Sequence, residues 1–146
     1  MALGAIYDIA GSGMTAQSVR MNTTASNIAN AQVVAGSAED VYQARHPIFQ
    51  AVLQEQRDAQ GAALGDQYGS AAAVKVVGVY EQQGQSTARY EPGHPLADEN
   101  GYVYMPKVNV VEEMTNMISA SRSFQINVEV LNSAKTMMQR LLTLGQ

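Results

Sequence analysis

The sequence predicts a mainly α-helical protein in which long N- and C-terminal helices pair as a coiled-coil-like antiparallel hairpin around a central, small β-rich insert. Three observations predict it. Apolar residues recur at heptad spacing through 108–144, they step by threes and fours through 3–29, and all four prolines with most of the glycines and charges fall elsewhere. The chain of 146 residues then divides into an N-terminal helix (1–30), a β-rich insert (31–107) with a mobile loop at about 57–73, and a C-terminal helix (108–146).

The C-terminal segment is the clearest. Val110, Met117, Phe124, Leu131 and Met138 are seven residues apart, and Met114, Val128 and Leu142 fill positions four residues further on, which Ser121 and Lys135 leave polar. This is the signature of an amphipathic helix that packs lengthwise on other helices. Such a helix is roughly 55 Å long, against a radius of gyration of about 15 Å for a compact domain of this size. Its own chain is too small to cover it. Asn109 is placed to cap its start, with Glu112 three residues later and Glu112 and Glu113 complementing the positive end of the helix dipole.

The N-terminal helix is carried by Leu3, Ile6, Ala10, Met14, Gln17, Met21, Ala25 and Ile28, an 11-residue recurrence that suits a nearly straight helix. Gly11 and Gly13 interrupt it at about 1 kcal/mol each relative to alanine, and the small residues there allow close helix approach. In the insert, 48–53 and 74–80 read as strands, and Gly78 marks a bulge or a close backbone approach. A third stretch, 87–90, is expected to pair with the second strand. Turn chemistry follows at Glu91-Pro92-Gly93-His94-Pro95 and again at Asn100-Gly101, which leads into a short extended segment.

Composition narrows the function. Charged residues are 15% of the chain, and the deficit lies at the ends: only Asp8 and Arg20 precede Glu39, and only Arg122, Glu129, Lys135 and Arg140 follow Glu113. Helices this poor in charge, with Asn, Gln, Ser and Thr on their polar faces, suit surfaces that meet other protein. A net charge of −4 without a basic cluster argues against nucleic acid as a partner. The chain has no cysteine, hence neither disulfide nor thiolate chemistry. No signal peptide and no membrane-spanning segment are expected.

The candidate chemical motifs are weak. Gly11-Ser12-Gly13-Met14-Thr15-Ala16 matches a dinucleotide fingerprint, but the next acidic residue, Glu39, is 28 positions beyond Gly11 and the helical recurrence runs through the glycines. Asp98-Glu99-Asn100-Gly101 resembles a fragment of a calcium loop whose other ligand positions are unfilled. His46 and His94 each precede a proline and have no partner suited to catalysis. Asn22-Thr23-Thr24 is a formal glycosylation sequon on a helix face. No catalytic, cofactor-binding or metal-binding residue and no small-molecule substrate are expected. The residues expected to carry function are those of helix packing and assembly: Leu3, Ile6, Met14, Met21 and Ile28 at the N-terminal end, with Val110, Met114, Met117, Phe124, Val128, Leu131, Met138 and Leu142 at the C-terminal end.

Several strings carry a family resemblance. SGMTAQSVRM (12–21) followed by ASNIAN (25–30) resembles the N-terminal signature of bacterial flagellar rod and hook proteins. YEPGHPLADENGYV (90–103), MPKVNVVEEM (105–114), SASRSFQ (119–125), LNSAK (131–135) and the closing LTLGQ (142–146) resemble the short proximal-rod members in particular. Where many axial proteins place a threonine and a Gly-Tyr pair after this asparagine-rich string, the chain has AQVVAG (31–36), again as in the proximal rod. The resemblance implies a structural protein of the basal body, exported through the flagellar type III apparatus without a cleaved signal. It implies polymerisation in the periplasm into a helical tube that joins the membrane-embedded ring to the distal rod and transmits torque. The implied partners are copies of itself, other rod subunits, and basal-body ring and export-gate components. A coiled-coil adaptor or chaperone-like component of a type III secretion system is the alternative.

Overall fold

The structure is a computed structural model that describes residues 2–53, 72–83 and 86–144. Its elements are α1 (Ala2–Asn30), β1 (Arg45–Leu53), β2 (Ala72–Glu81), β3 (Ser86–Tyr90), β4 (Tyr102–Pro106) and α2 (Val110–Leu144). The mobile-loop expectation at 57–73 falls almost wholly outside the described residues.

α1 spans 29 residues and runs unbroken through Gly11 and Gly13. The dinucleotide reading therefore fails on geometry, because that motif needs a strand and a turn where the chain is helical. Hydroxyls inside the helix turn back on its own carbonyls: Ser12 Oγ donates to the Ile9 carbonyl at 2.8 Å and Thr15 Oγ1 to that of Gly11 at 3.0 Å. At the far end Asn30 Nδ2 donates to the Ser26 carbonyl at 2.8 Å, again a side chain turned back on its own helix.

α2 spans 35 residues and starts as its sequence suggests. Asn109 Oδ1 accepts from the backbone N–H of Val111 at 3.1 Å and of Glu112 at 3.4 Å, the bonds of an N-cap. α1 and α2 lie antiparallel, with cross-helix contacts running in opposite order: Asn27 to Glu113, Arg20 to Asn116, Gly13 to Asn127.

The insert forms two antiparallel ribbons, β1 with β2 and β3 with β4. β1 and β2 are longer than the runs 48–53 and 74–80. Pro47 fits inside β1 because a strand with only one neighbour has a free edge for the missing donor. The register shifts between Ile48 and Phe49, opposite Gly78 and Val76, so a bulge does lie beside Gly78. The expected pairing of 87–90 with the second strand is not what forms. β3 pairs with β4, from Ser86 against Pro106 to Tyr90 against Tyr102.

The intervening turn is the reason. Asp98 Oδ1 accepts from the N–H groups of Asn100 at 2.9 Å and Tyr102 at 2.8 Å, and its Oδ2 accepts from the Tyr104 hydroxyl at 3.3 Å. Gly101 sits at φ 80°, where an added Cβ would come within 3.0 Å of the Tyr90 ring. These bonds fold the chain back on itself so that β3 and β4 lie side by side, and the Tyr90 and Tyr102 rings meet edge-on at 5.3 Å. β4 is also tied to the chain leaving α1: Ala35 and Tyr104 exchange backbone hydrogen bonds at 2.8 and 2.9 Å. Val103 is fully buried in this region.

The turn makes an acid-sensitive point. Donation from the Tyr102 N–H holds the Asp98 carboxyl below its ordinary value of 3.8, so its contribution is complete above that value and is lost as pH falls through the lowered one. The same carboxylate holds the Tyr104 phenol above 10.0, so that bond persists to alkaline pH. Amide exchange followed by NMR should show Asn100 and Tyr102 protected at neutral pH and losing protection upon acidification below the ordinary value. In Asp98→Asn the acid step should be absent.

Candidate assembly surface

The seam between α1 and α2 is not the apolar stripe. On α1 it steps through Ala10, Gly13, Gln17, Arg20, Thr24 and Asn27, of which Ala10, Thr24 and Asn27 are buried, as is Ala31 just past the helix. On α2 it steps through Glu113, Asn116, Ala120, Ser123, Asn127 and Ala134, of which Glu113, Ala120 and Ala134 are buried. Small side chains let the helices approach closely, as at Gly13, where a Cβ would lie 2.9 Å from Asn127 Nδ2. Polar ones bond across: Arg20 Nη2 donates to Asn116 Oδ1 at 3.0 Å. Gln17 Oε1 is buried without a hydrogen-bond partner among the described residues.

Asn27 is the centre of this seam and is fully buried. Its Nδ2 donates to Glu113 Oε2 and to the Arg45 carbonyl, both at 2.9 Å. Its Oδ1 accepts from the Tyr42 hydroxyl at 2.9 Å and from the Arg45 N–H at 2.8 Å. Two donors and two acceptor sites are thus all used. Because the Tyr42 hydrogen goes to Asn27, Ser26 Oγ is the donor in its 3.1 Å bond to the Tyr42 oxygen. Nothing in the spacing of apolar residues marks Asn27. The signal was its place within the asparagine-rich string of the family resemblance.

The residues expected to carry helix packing and assembly flank the seam instead of filling it, because the closest approach goes through small and polar side chains. Met117, Phe124, Leu131 and Met138 each follow a seam residue of α2 by four positions, and Met14, Met21 and Ile28 each follow one of α1 by four. Four residues turn a helix by about 40° beyond one full revolution. In antiparallel helices the same sense of rotation carries both stripes to the same broad face of the hairpin. Met14, Met21, Ile28, Val110, Met117, Phe124, Val128 and Leu131 are half-buried there. Ile6 and Met138 lie at the edge of exposure, whereas Met114 and Leu142 are 53% and 70% exposed. Leu3 lies in the first turn of α1.

The β1–β2 ribbon takes the other broad face. Ser12 Oγ accepts from the Val74 N–H at 3.1 Å, and Thr23 lines a cleft with Arg45, Val79 and Tyr80. The methionine- and phenylalanine-bearing face is therefore left without cover from the ribbon. Periodicity missed a second group of exposed apolar residues on α2: Val111 and Ile118, which step with Met114, and Met137 and Leu141 near the C-terminal end. A spacing of 111, 114 and 118 was the available signal. α2 also outruns α1, so its last turn overhangs the hairpin.

The other motifs resolve into local structure. His94 Nδ1 accepts from the Leu96 N–H at 3.1 Å, and His46 packs beside Tyr80 with ring centroids 5.5 Å apart. The Asp98 oxygens serve their own turn. Among the described residues no group of three His, Asp or Glu side chains could hold a metal ion, and no helix is long and apolar enough to cross a membrane.

Comparison with known proteins agrees with this geometry. Residues 8–36 match the family described as "Flagella basal body rod protein", and residues 99–144 match "Flagellar basal body rod FlgEFG protein C-terminal". These matches cover most of α1 and all of α2, so the class is that of flagellar basal-body axial proteins. Over its whole length, and theirs, the chain is 53% identical to the flagellar basal-body rod protein FlgC of Escherichia coli O157:H7 and 51% identical to that of Salmonella typhimurium. It is 44% identical to that of Yersinia enterocolitica, again over both full lengths. The chain belongs to the FlgC family of flagellar basal-body rod proteins, and it is a structural subunit of the rod.

Proposed function

We propose that the chain polymerises in the periplasm into the proximal part of the rod, a helical tube between the membrane-embedded ring and the distal rod that transmits motor torque. In this reading residues 1–30 and 108–146 build the tube, and residues 31–107 pack outside it. Its partners are copies of itself, other rod subunits, and ring and export-gate components. It leaves the cytoplasm by flagellar type III export without a cleaved signal peptide.

The observation that carries the reading is the broad face of the hairpin bearing Met14, Met21, Met117, Phe124 and Leu131, which the chain's own ribbon leaves uncovered. Head-to-tail contacts on such a face propagate into a filament unless a rotation closes them. The side chains of Ile6, Ile28, Val110, Met114, Val128, Met138 and Leu142 extend the same contact zone. No observation favours the adaptor or chaperone reading.

Hydrogen exchange tests it. A hairpin whose seam is mostly small and polar gains little from burial, and helices without partners are marginal in water. In the dilute chain, amides of α1 and α2 should exchange far faster than in isolated basal bodies. Strong protection of both helices in the dilute chain would overturn the reading, as would a closed oligomer that does not grow with concentration. Deletion of the gene should stop flagellar assembly at the rod.

A further inference from the structure

The centre of the hairpin seam is built from small and polar side chains, which specify register weakly by shape. Positions seven residues apart carry small or polar side chains: Ala10, Gln17 and Thr24 on one phase of α1, and Glu113, Ala120, Asn127 and Ala134 on one phase of α2. None of Gly13, Gln17, Arg20, Thr24, Asn27, Glu113, Asn116, Ala120, Ser123 and Asn127 is a large apolar knob that would fit one hole alone. In the observed alignment Gly13 opposes Asn127 and Asn27 opposes Glu113. A slip of seven residues, about 10 Å along the axis, again sets small and polar side chains against one another. In one direction Gly13 would oppose Ala120 and Arg20 would approach Glu113, a close fit and a charge pair. The observed alignment therefore needs a device that the slipped ones lack.

We propose that Asn27 is that device, a register lock and positioning residue. Slipped by seven, it would face Ala120 in one direction and Pro106, outside α2, in the other, and neither side chain accepts a hydrogen bond. A fully buried amide would then lose its cross-helix bond, whereas in register all four of its bonds are made. A single buried asparagine fixes alignment in coiled coils by the same asymmetry. Here the lock also reaches the β subdomain. Arg45 is the first residue of β1, and both its backbone N–H and its carbonyl are held by the same side chain. One amide thus sets α1, α2 and the β1–β2 ribbon to one another.

The chain has no cysteine of its own, so disulfide trapping in the full-length protein reads register directly. Gly13→Cys with Asn127→Cys reports the observed alignment, because an added Cβ at Gly13 lies 3.3 Å from Asn127 Cγ, the place a cysteine sulfur at 127 would occupy in that rotamer. Gly13→Cys with Ala120→Cys, and with Ala134→Cys, report the two slipped ones. In the otherwise unaltered chain the first pair should cross-link about tenfold more than either other, the preference that one ordinary buried hydrogen bond enforces. Adding Asn27→Ala should bring a slipped pair to within about twofold of the first.

A role confined to stability would lower all three yields in proportion and leave their ratio unchanged, and that result overturns the proposal. If Asn27→Ala abolishes all cross-links, Glu113 decides. Glu113→Ala should raise a slipped pair as Asn27→Ala was expected to. Glu113→Gln, which keeps an acceptor for Asn27 Nδ2, should retain the tenfold preference. Ratios unchanged in both Glu113 variants would likewise overturn it.

Discussion

A strain whose only copy carries Phe124→Asp is expected to be non-motile, with the variant present as soluble, exported protein and absent from the basal body. Phe124 is half-buried beside the α1–α2 seam, on the face that the β1–β2 ribbon leaves uncovered. The substitution removes an aromatic surface and puts a carboxylate where a neighbouring subunit would close over it. Loss of the ring and burial of an unpaired charge together cost about 3 kcal/mol or more. That is more than about a hundredfold in affinity per contact. A rod subunit makes such contacts repeatedly, so the loss compounds along the polymer. Phe124→Leu keeps most of the apolar surface and should swarm on soft agar at near the parental rate. Normal motility of Phe124→Asp would remove this face from the assembly.

The helices were legible because their apolar residues repeat. A recurrence over 3–29 became α1 at Ala2–Asn30, and a stripe through 108–144 became α2 at Val110–Leu144. Helix starts and turns were legible where one residue decides them, as at Asn109 and Gly101. The side on which the helices meet was not. A periodicity reading follows large apolar residues, yet the contact runs one step around, through Ala120, Asn127 and Gly13, and leaves Met117 and Phe124 on its flank. Contacts such as Asn27 with Glu113 are pairwise facts between residues 86 positions apart, and neither helix alone contains them. The β3–β4 pairing escaped for a related reason. Strand propensity at 87–90 names no partner, and the Asp98 turn that chose one acts through side-chain bonds to its own backbone.

Gly13 should separate substitution by size from substitution by charge. A Cβ at this position meets only the end of the Asn127 side chain, at 2.9 Å from Nδ2 and 3.3 Å from Cγ. Asn127 is half-buried and able to swing aside, so Gly13→Ala should be tolerated. Its gain of about 1 kcal/mol in helix propensity offsets the displaced side chain. Gly13→Leu adds three further carbons where a Cβ alone already crowds Asn127, and it is expected to push α1 away from α2. Overpacking of this kind costs about 1–3 kcal/mol, and it strikes where small side chains are what permit the helices to approach. Gly13→Leu should therefore leave the rod unassembled, and Asn127→Gly should restore motility in the same chain by vacating the space. Gly11 is the internal control. It lies two residues away in the same helix with nothing within 4 Å of its added Cβ, so Gly11→Leu should assemble. If both leucine variants fail alike, the effect belongs to α1 as an outward contact and not to its approach to Asn127. If Gly13→Leu alone fails and Asn127→Gly rescues it, the paired helices seen in the single chain are the arrangement on which the rod is built.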